Sequence, residues 1–383
     1  MTNSVLTSSV PAAEALGPPV PFIDLVAQQA EIQDEISPEI AEALRRADFI
    51  GGKHVAAFEA DFAAFTSVTH CIGVGNGTDA LELALRALDI VEGREVLVPV
   101  NSFIASAEAV LRAGATVRFA DVDDDSLLLD RASVESAITN ETAAVMAVHL
   151  YGQPAPVDQI LSVADRYGAV VIEDAAQSQG ACRNGRPAGS LSRIAATSFY
   201  PGKNLGAAGD GGAVLTSDDD LAARVRRIAS HGSTEKYVHD EFGFNSRLDS
   251  IQAIVLRAKL ARLEAWNAAR RAAARRYDVL IADVDGVRAP VTLAGNVHNW
   301  HIYSVRVEDR DRILAGLHAE GIGAALHYPT PIHLTGAFRH LGLARGDFPV
   351  AERAAAQLLS LPMFPHLTEA QQVRVVDALK RLV

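Results

Sequence analysis

Residues 198–212 read SFYPGKNLGAAGDGG. An apolar, aromatic-ended run stops there, and a single lysine, Lys203, stands among glycines. The chain has 35 Lys+Arg but only five lysines, at 53, 203, 236, 259 and 380. Lysine is therefore not spread as a generic solubiliser, and its position here carries information. Working outward, the stretch is entered through AATSFYP (195–201) and left through GGAVLTS (211–217), two apolar runs of strand length. Further runs lie upstream: CIGV (71–74), EVLVPV (95–100), TVRFADV (116–122), AAVMAVHLYG (143–152) and AVVIED (169–174). Helical patterns separate most of them, among them TDALELALRAL, with Leu81, Leu85 and Leu88 on one face. Continuously apolar strands alternating with helices predict a mostly parallel sheet with helices on both faces. The fold class is α/β, with a large three-layer αβα domain.

The flanks fill in the rest. Apolar residues recur every four positions from Ile32 to Leu44, predicting a helix that Pro38 starts or kinks. A second helix is expected over 54–66. Ser217, with Asp220 three residues on, is the expected N-cap of a helix carrying Leu221, Val225 and Ile228 inward. Residues 233–245 are polar and predict a loop, and a long alanine- and arginine-rich helical pattern then runs from Leu248 toward Leu280 as a bridge. Beyond it, WHIYSVRV (300–307) alternates like a half-buried strand, 310–319 is helical, IGAALHYP is another strand, and Thr368 opens a last helix through a capping box with Gln371. The expected organisation is a loose N-terminal tail (1–20), the large domain (21–262) and a smaller C-terminal α+β domain (263–383).

The totals agree with a two-domain globular protein: 383 residues, 49% hydrophobic and 21% charged. A net charge of -12 argues against nucleic acid or an anionic membrane as partner, because neutralising phosphates takes clustered Lys/Arg. Cys71 and Cys182 are too few and too distant for a disulfide framework or a thiolate metal site. No metal is expected. The N-terminus lacks a basic start followed by an apolar run, and no stretch is long enough to span a bilayer, so a cytoplasmic protein is expected.

In parallel α/β sheets ligands bind outside the carboxyl ends of the strands. AVVIED delivers Glu173 and Asp174 there, and a carboxylate at the end of an apolar strand needs a cation or donors; capping a helix or pairing with an arginine would serve as well. GVGNGTDAL (73–81) passes from strand to helix so that the Gly77, Thr78 and Asp79 amides and the Thr78 hydroxyl can meet one anion. It matches neither the dinucleotide fingerprint nor a Walker loop. A phosphate cradle, a strand-end carboxylate and a lysine beside Ser198 are the parts a pyridoxal phosphate enzyme needs: a Schiff-base lysine, and an acid that keeps the pyridine nitrogen protonated.

With these residues in view, the chain resembles the DegT/DnrJ/EryC/StrS family of sugar aminotransferases. The resemblance spans about residues 20–380 and rests on PFIDL, GNGTDALELALRAL, LYGQPAPVD, VIEDAAQSQGA, SFYPGKNLGAAGDGGAV, NSRLDSIQA, LHYPTPIHL and GDFPVAERAAAQLLSLPMFPHLT. It implies the fold type I of pyridoxal phosphate transferases, that of aspartate aminotransferase. It also implies Lys203 as the Schiff-base lysine, Asp174 at the pyridine nitrogen, Gln177 beside the ring hydroxyl and Phe103 stacked on the ring. The phosphate would lie against Gly77, Thr78 and Ser198, with Asn245 reaching in from a second subunit, hence a homodimer with shared active sites. Substrate contacts implied are Arg247, Lys236, Tyr237, Tyr328 and His333, while His149 and His327 are taken as structural histidines near the site. Related sugar 3-dehydratases carry histidine where Lys203 stands, so the resemblance implies transamination; Asn76 replaces a serine found in many members. The expected reaction moves an amino group from L-glutamate to a ketone of a dTDP- or UDP-linked keto-hexose, leaning to C3 over C4, in amino-sugar biosynthesis for an antibiotic or polysaccharide. A keto-cyclitol is the rival substrate, and a cofactor-bound regulator without turnover is the rival class.

Overall fold

The computed structural model describes residues 18–383. The expected tail therefore lies outside the described residues as far as residue 17. Val20 is already anchored: its N–H donates to the Gly321 carbonyl at 3.0 Å, and its own carbonyl accepts from Gly323 at 2.7 Å. Met363 donates to the Phe22 carbonyl at 3.2 Å, so residues 20–22 lie as a strap on the C-terminal part of the chain.

Three helices follow, α1 (Leu25–Ala30), α2 (Gln33–Arg46) and α3 (Gly52–Thr66). Pro38 neither starts nor ends α2, which passes through it. Both Pro38 and Asp34, whose carbonyl the proline cannot bond, are solvent-exposed, which keeps that loss small. The alternating region then gives β1 (His70–Val74), α4 (Gly77–Ala87), β2 (Glu95–Pro99), α5 (Ala105–Ala113), β3 (Thr116–Ala120), α6 (Arg131–Ala137), β4 (Thr142–Val148), α7 (Val157–Tyr167) and β5 (Val170–Asp174). A short pair, β6 (Cys182–Arg183) and β7 (Arg186–Pro187), precedes β8 (Ile194–Ser198), β9 (Gly212–Thr216) and α8 (Asp219–Ile228).

Seven of these strands form one sheet in the order β1-β9-β8-β5-β4-β2-β3. Only β9 runs against its neighbours, so the expected mostly parallel sheet is present. Strand alternation divides its side chains between two cores. Val96, Val98, Met146 and Ile172 pack on one face with Leu81 and Leu85 of α4. Leu97, Val145 and Val171 pack on the other with Ile160 and Val163 of α7. Each such aliphatic side chain contributes about 1.5–3 kcal/mol of burial, which is why no polar face survives in these strands.

Two local expectations change. The N-cap of α8 is Asp218, whose side chain accepts from the Asp220 and Leu221 amides, because the Ser217 hydroxyl is taken by the Thr69 amide at 3.1 Å. The polar segment is not all loop: β10 (Ser233–Glu235) and β11 (Val238–His239) pair as a hairpin, with Tyr237 at φ 69 supplying the left-handed turn residue.

The 32-residue α9 (Ser250–Ile281) is one unbroken helix. Its first half, through Ile254, Val255 and Ala258, packs on Ile36 of α2 and on Ile32 just before that helix. Its second half, through Ala273, Ala274, Tyr277 and Ile281, enters the C-terminal core. That core also holds α10 (Arg310–Ala319), α12 (Glu369–Leu382) and a sheet of β12 (Val287–Arg288), β14 (Tyr303–Val307) and β15 (Leu358–Leu361), the last entered from α11 (Pro349–Gln357); β13 (Asn296–Val297) crosses to pair with β6. The domain boundary we propose at residue 262 thus falls inside α9, between these two packing partners. WHIYSVRV supplies β14, but as the central strand of its sheet all five residues are buried. IGAALHYP does not form a strand and makes only single bridges, Ile322 to Val20 and Ala325 to Ser360 on the free edge of β15. The Thr368–Gln371 capping box is present. Among the described residues no helix is long and apolar enough to cross a membrane.

Candidate active site

Beyond the carboxyl ends of β1, β5 and β8 lies a cavity of about 920 Å³. Its floor is built by the sheet register. Gly212, the first residue of β9, is paired with both Val74 and Ser198, so the loop after β1 and the end of β8 are drawn onto one strand start. A Cβ on Gly212 would stand 2.5 Å from the Asn76 backbone, and one on Gly77 would stand 2.6 Å from the Ser198 Cβ. Glycine at both places lets the N-terminus of α4 close on Ser198. Asn76 caps that helix, its side-chain oxygen accepting from the Asp79 amide at 2.8 Å. Gly77, Thr78 and Ser198 all line the cavity. Amides at a helix start and two hydroxyls form a donor set suited to a phosphate. Gly77→Ala is expected to weaken pyridoxal phosphate binding and to cost about 1–3 kcal/mol of stability through overpacking, checked by cofactor titration and denaturant unfolding of the cofactor-free protein.

At the end of β5, adjacent residues point opposite ways. Asp174 faces the cavity, buried, its Oδ2 accepting from Ser106 Oγ at 2.7 Å and its Oδ1 from the Ala176 amide at 3.2 Å. Ser102 Oγ lies 2.6 Å from Ser106 Oγ, and since Ser106 donates to the carboxylate, Ser102 donates to Ser106. Glu173 points to the other side and is fully buried. It accepts from the Gly189 and Ser192 amides, both at 2.7 Å, and from His149 Nε2 at 2.8 Å. Burial works to raise the Glu173 pKa, yet the His149 bond and these amides hold it below the ordinary carboxylate value. His149 takes the Ala155 amide on Nδ1, which places its hydrogen on Nε2 toward Glu173; it does not line the cavity.

Lys203 lies in the cavity with its pKa pushed down to about 8 by burial, against the pull of the Asp174 charge. Gln177 lines the same wall. Its Oε1 accepts from the Tyr151 amide at 2.5 Å and its Nε2 donates to Tyr328 Oη at 3.2 Å. Phe103, 52% exposed, leans on Tyr328 with ring centroids 5.4 Å apart. The C-terminal part of the chain contributes Tyr328, His327 and His301, while Phe22 of the strap and Ile23 just after it complete the wall. The lining thus combines phosphate donors, the apolar Phe103 and Ala176, a carboxylate and a half-buried lysine, a set of groups that fits pyridoxal phosphate.

The structure thus gathers Gly77, Thr78, Phe103, Asp174, Gln177, Ser198, Lys203 and Tyr328 in one cavity. Asn245, Arg247, Lys236 and Tyr237 do not line it. All four are exposed, Tyr237 at 83%, on or just after the β10–β11 hairpin, with Lys236 Nζ 5.1 Å from the Tyr237 ring centroid. His333 does not line it either. It is 1% exposed, its Nε2 meets Glu352 Oε1 at 3.1 Å, and its ring packs edge-on against Phe348. Residues the sequence reading missed are Ser106, His301, Phe22 and Ile23. Only Ser106 carried a signal, a serine one helical turn after Ser102.

Comparison with known proteins shows the family and the fold. The model of the DegT/DnrJ/EryC1/StrS aminotransferase family matches residues 30–380. The erythromycin biosynthesis sensory transduction protein EryC1 of Saccharopolyspora erythraea is 46% identical, covering 94% of this chain and 99% of that one. The dTDP-3-amino-3,4,6-trideoxy-alpha-D-glucose transaminase of Streptomyces venezuelae is 46% identical over 96% of this chain and 97% of its own. A UDP-N-acetyl-3-dehydro-alpha-D-glucosamine 3-aminotransferase of Acidithiobacillus ferrooxidans is also 46% identical, over 94% and 97%. The crystal structure of S. venezuelae DesV in complex with a ketimine intermediate superposes with a TM-score of 0.93 at 46% identity, covering 95% of this chain and 98% of that one.

Proposed function

The chain belongs to the DegT/DnrJ/EryC1/StrS aminotransferase family and uses pyridoxal phosphate, and we propose that it moves the amino group of L-glutamate to the C3 ketone of a dTDP- or UDP-linked hexose. The observation that carries this reading is the meeting of Lys203 and Asp174 in one cavity with the glycine-built phosphate cradle. When bound, the cofactor supplies an electron sink for charge developing on the amino-bearing carbon. Asp174, oriented by Ser106 and the Ala176 amide, would keep a proton on the pyridine nitrogen. Gly77, Thr78 and Ser198 would hold its phosphate, Phe103 would cover its ring and Gln177 would meet its hydroxyl. Lys203, its pKa pushed down to about 8, would anchor the cofactor and move protons at Nζ. The choice of C3 is supported by relatives named for 3-amino and 3-dehydro sugars.

Charge supports a shared site. The charged residues lining the cavity are Glu108, Arg112, Asp174, Lys203 and Asp210, and Arg112 is already paired with Asp79 and Glu82. A nucleotide diphosphate needs further cations, and Arg247 and Lys236 stand exposed outside this cavity. We therefore place Asn245, Arg247, Lys236 and Tyr237 at the cavity of a second copy in a homodimer. Arg247→Ala is expected to raise KM for the nucleotide sugar about tenfold, as loss of one charge-assisted contact, with KM for glutamate little changed in steady-state assays. The name of EryC1 favours the regulatory class, but a regulator has no need of a lysine and carboxylate so placed.

The reading is tested in two half-reactions. Glutamate should shift the absorbance of the loaded protein to the pyridoxamine form, and a panel of nucleotide 3-ketosugars, 4-ketosugars and keto-cyclitols should then be offered. Restoration of the original band by a nucleotide 3-ketosugar supports the proposal. Restoration only by a cyclitol or a 4-ketosugar, or no response to glutamate, overturns it.

A further inference from the structure

Behind Lys203 lies a buried polar chain of three asparagines, Asn204, Asn267 and Asn299, none more than 2% exposed. Hydrogen-bond accounting fixes each amide. Asn267 Nδ2 donates to the Gln179 carbonyl at 2.9 Å, an acceptor only, so its Oδ1 faces Asn204. Asn204 Nδ2 accordingly donates to Asn267 Oδ1 at 2.9 Å and to the Asn299 carbonyl at 3.1 Å. That leaves Asn204 Oδ1, which cannot donate, 3.1 Å from His301 Nδ1. The hydrogen of a neutral His301 must therefore be on Nδ1. Asn299 fixes the backbone of the same residue, its Oδ1 accepting from the His301 amide at 3.1 Å while its Nδ2 donates to the Gln177 and Gln179 carbonyls.

His301 Nε2 has no hydrogen-bond partner among the described residues, and the ring lines the cavity together with Lys203. We propose that His301 is a positioning residue for Lys203: the asparagine chain locks its tautomer, and the bare Nε2 accepts a hydrogen bond from the lysine amino group whenever that group is free. The ring is kept neutral first by burial, then by the charges of Lys203, Arg270, His327 and His298, all of which lower its pKa. Asp174 acts on Lys203 in the opposite sense. His327, on the same cavity, is not locked in this way, because its Nδ1 meets the Ser360 hydroxyl at 2.9 Å and a hydroxyl can donate or accept.

The inference rests on reading Lys203 as the cofactor lysine, and the experiment separates the two. Borohydride reduction and peptide mapping of the loaded protein first establish whether pyridoxal phosphate is on Lys203; its absence there overturns the reading of the site. Nitrogen-15 spectra of histidine-labelled, cofactor-free protein, with His301 assigned by His301→Gln, should show Nδ1 protonated and Nε2 bare from pH 5 to 9. A proton on Nε2, or a cationic ring, overturns the proposal on the native protein alone. An acceptor favours the ammonium form, so its loss lowers the lysine pKa. In His301→Phe the pH midpoint for capture of pyridoxal phosphate should fall by about one unit below the wild-type value, with kcat down on the order of tenfold. His301→Gln, whose carboxamide oxygen can accept, should restore much of both. A purely structural histidine would not move the midpoint, and an unmoved midpoint in His301→Phe overturns the proposal.

Discussion

Lys203→Ala is expected to lower kcat by at least about 10⁴-fold, the combined loss of a covalent anchor and a positioned proton carrier. Asp174, Gln177 and the cradle of Gly77, Thr78 and Ser198 remain, so the variant should still retain pyridoxal phosphate, now without a borohydride-stable attachment. Measuring both quantities matters. Loss of turnover with the cofactor retained assigns the chemistry to the lysine, whereas turnover within tenfold of wild type would remove Lys203 from the mechanism. The wild-type lysine also makes a pH prediction. With its pKa at about 8, the neutral amine increases as pH rises toward that value and saturates above it. Capture of pyridoxal phosphate by the cofactor-free protein should accelerate about tenfold per unit well below pH 8 and level off above it.

Asp174→Asn is the second large effect, expected at about 10³-fold in kcat. The carboxamide nearly preserves shape, and its oxygen can still accept from Ser106 or the Ala176 amide, so folding should be spared. What it lacks is the negative charge that keeps a proton on the pyridine nitrogen. Stopped-flow spectra of the glutamate half-reaction should show the loss in the proton-transfer phase. A variant that matches wild type in that phase would mean that another group holds the ring nitrogen.

Residues whose roles are set by local chain geometry were legible in the sequence. Gly77 and Thr78 open a helix directly after a strand, Asp174 ends a strand, and Lys203 follows another in a glycine-rich turn, so each could be placed beyond the carboxyl end of a strand from its neighbours alone. The sheet was legible for the same reason, since continuous apolar runs alternating with helices have few architectures open to them. His301 and Ser106 were not, because their meaning comes from Asn204 and Asp174, residues 97 and 68 positions away along the chain. His333 shows the converse. It stands five residues after Tyr328, yet the intervening turn and the short 3-10 helix Ile332–Leu334 carry it to Glu352. Ser217 lost its capping role to Asp218 through a contact with Thr69, 148 positions away, which no local pattern records.

The strap at residues 20–22 has a consequence for the life of the molecule in a cell. Phe22 stacks on His327 at 5.5 Å, and Phe22 and Ile23 are a wall of the cavity, while Gly323 packs so closely that a Cβ there would stand 2.5 Å from the Phe22 nitrogen. One side of the chamber is therefore made from residues 22 and 23 and is completed only when residues 321–363, far along the chain, have been synthesised. The chamber cannot form on a nascent chain. A peptidase that cut past residue 23 would leave Lys203 in place, but would take Val20 out of the C-terminal core and Phe22 and Ile23 out of the cavity wall, and the resulting molecule, its chamber breached, is expected to be inactive.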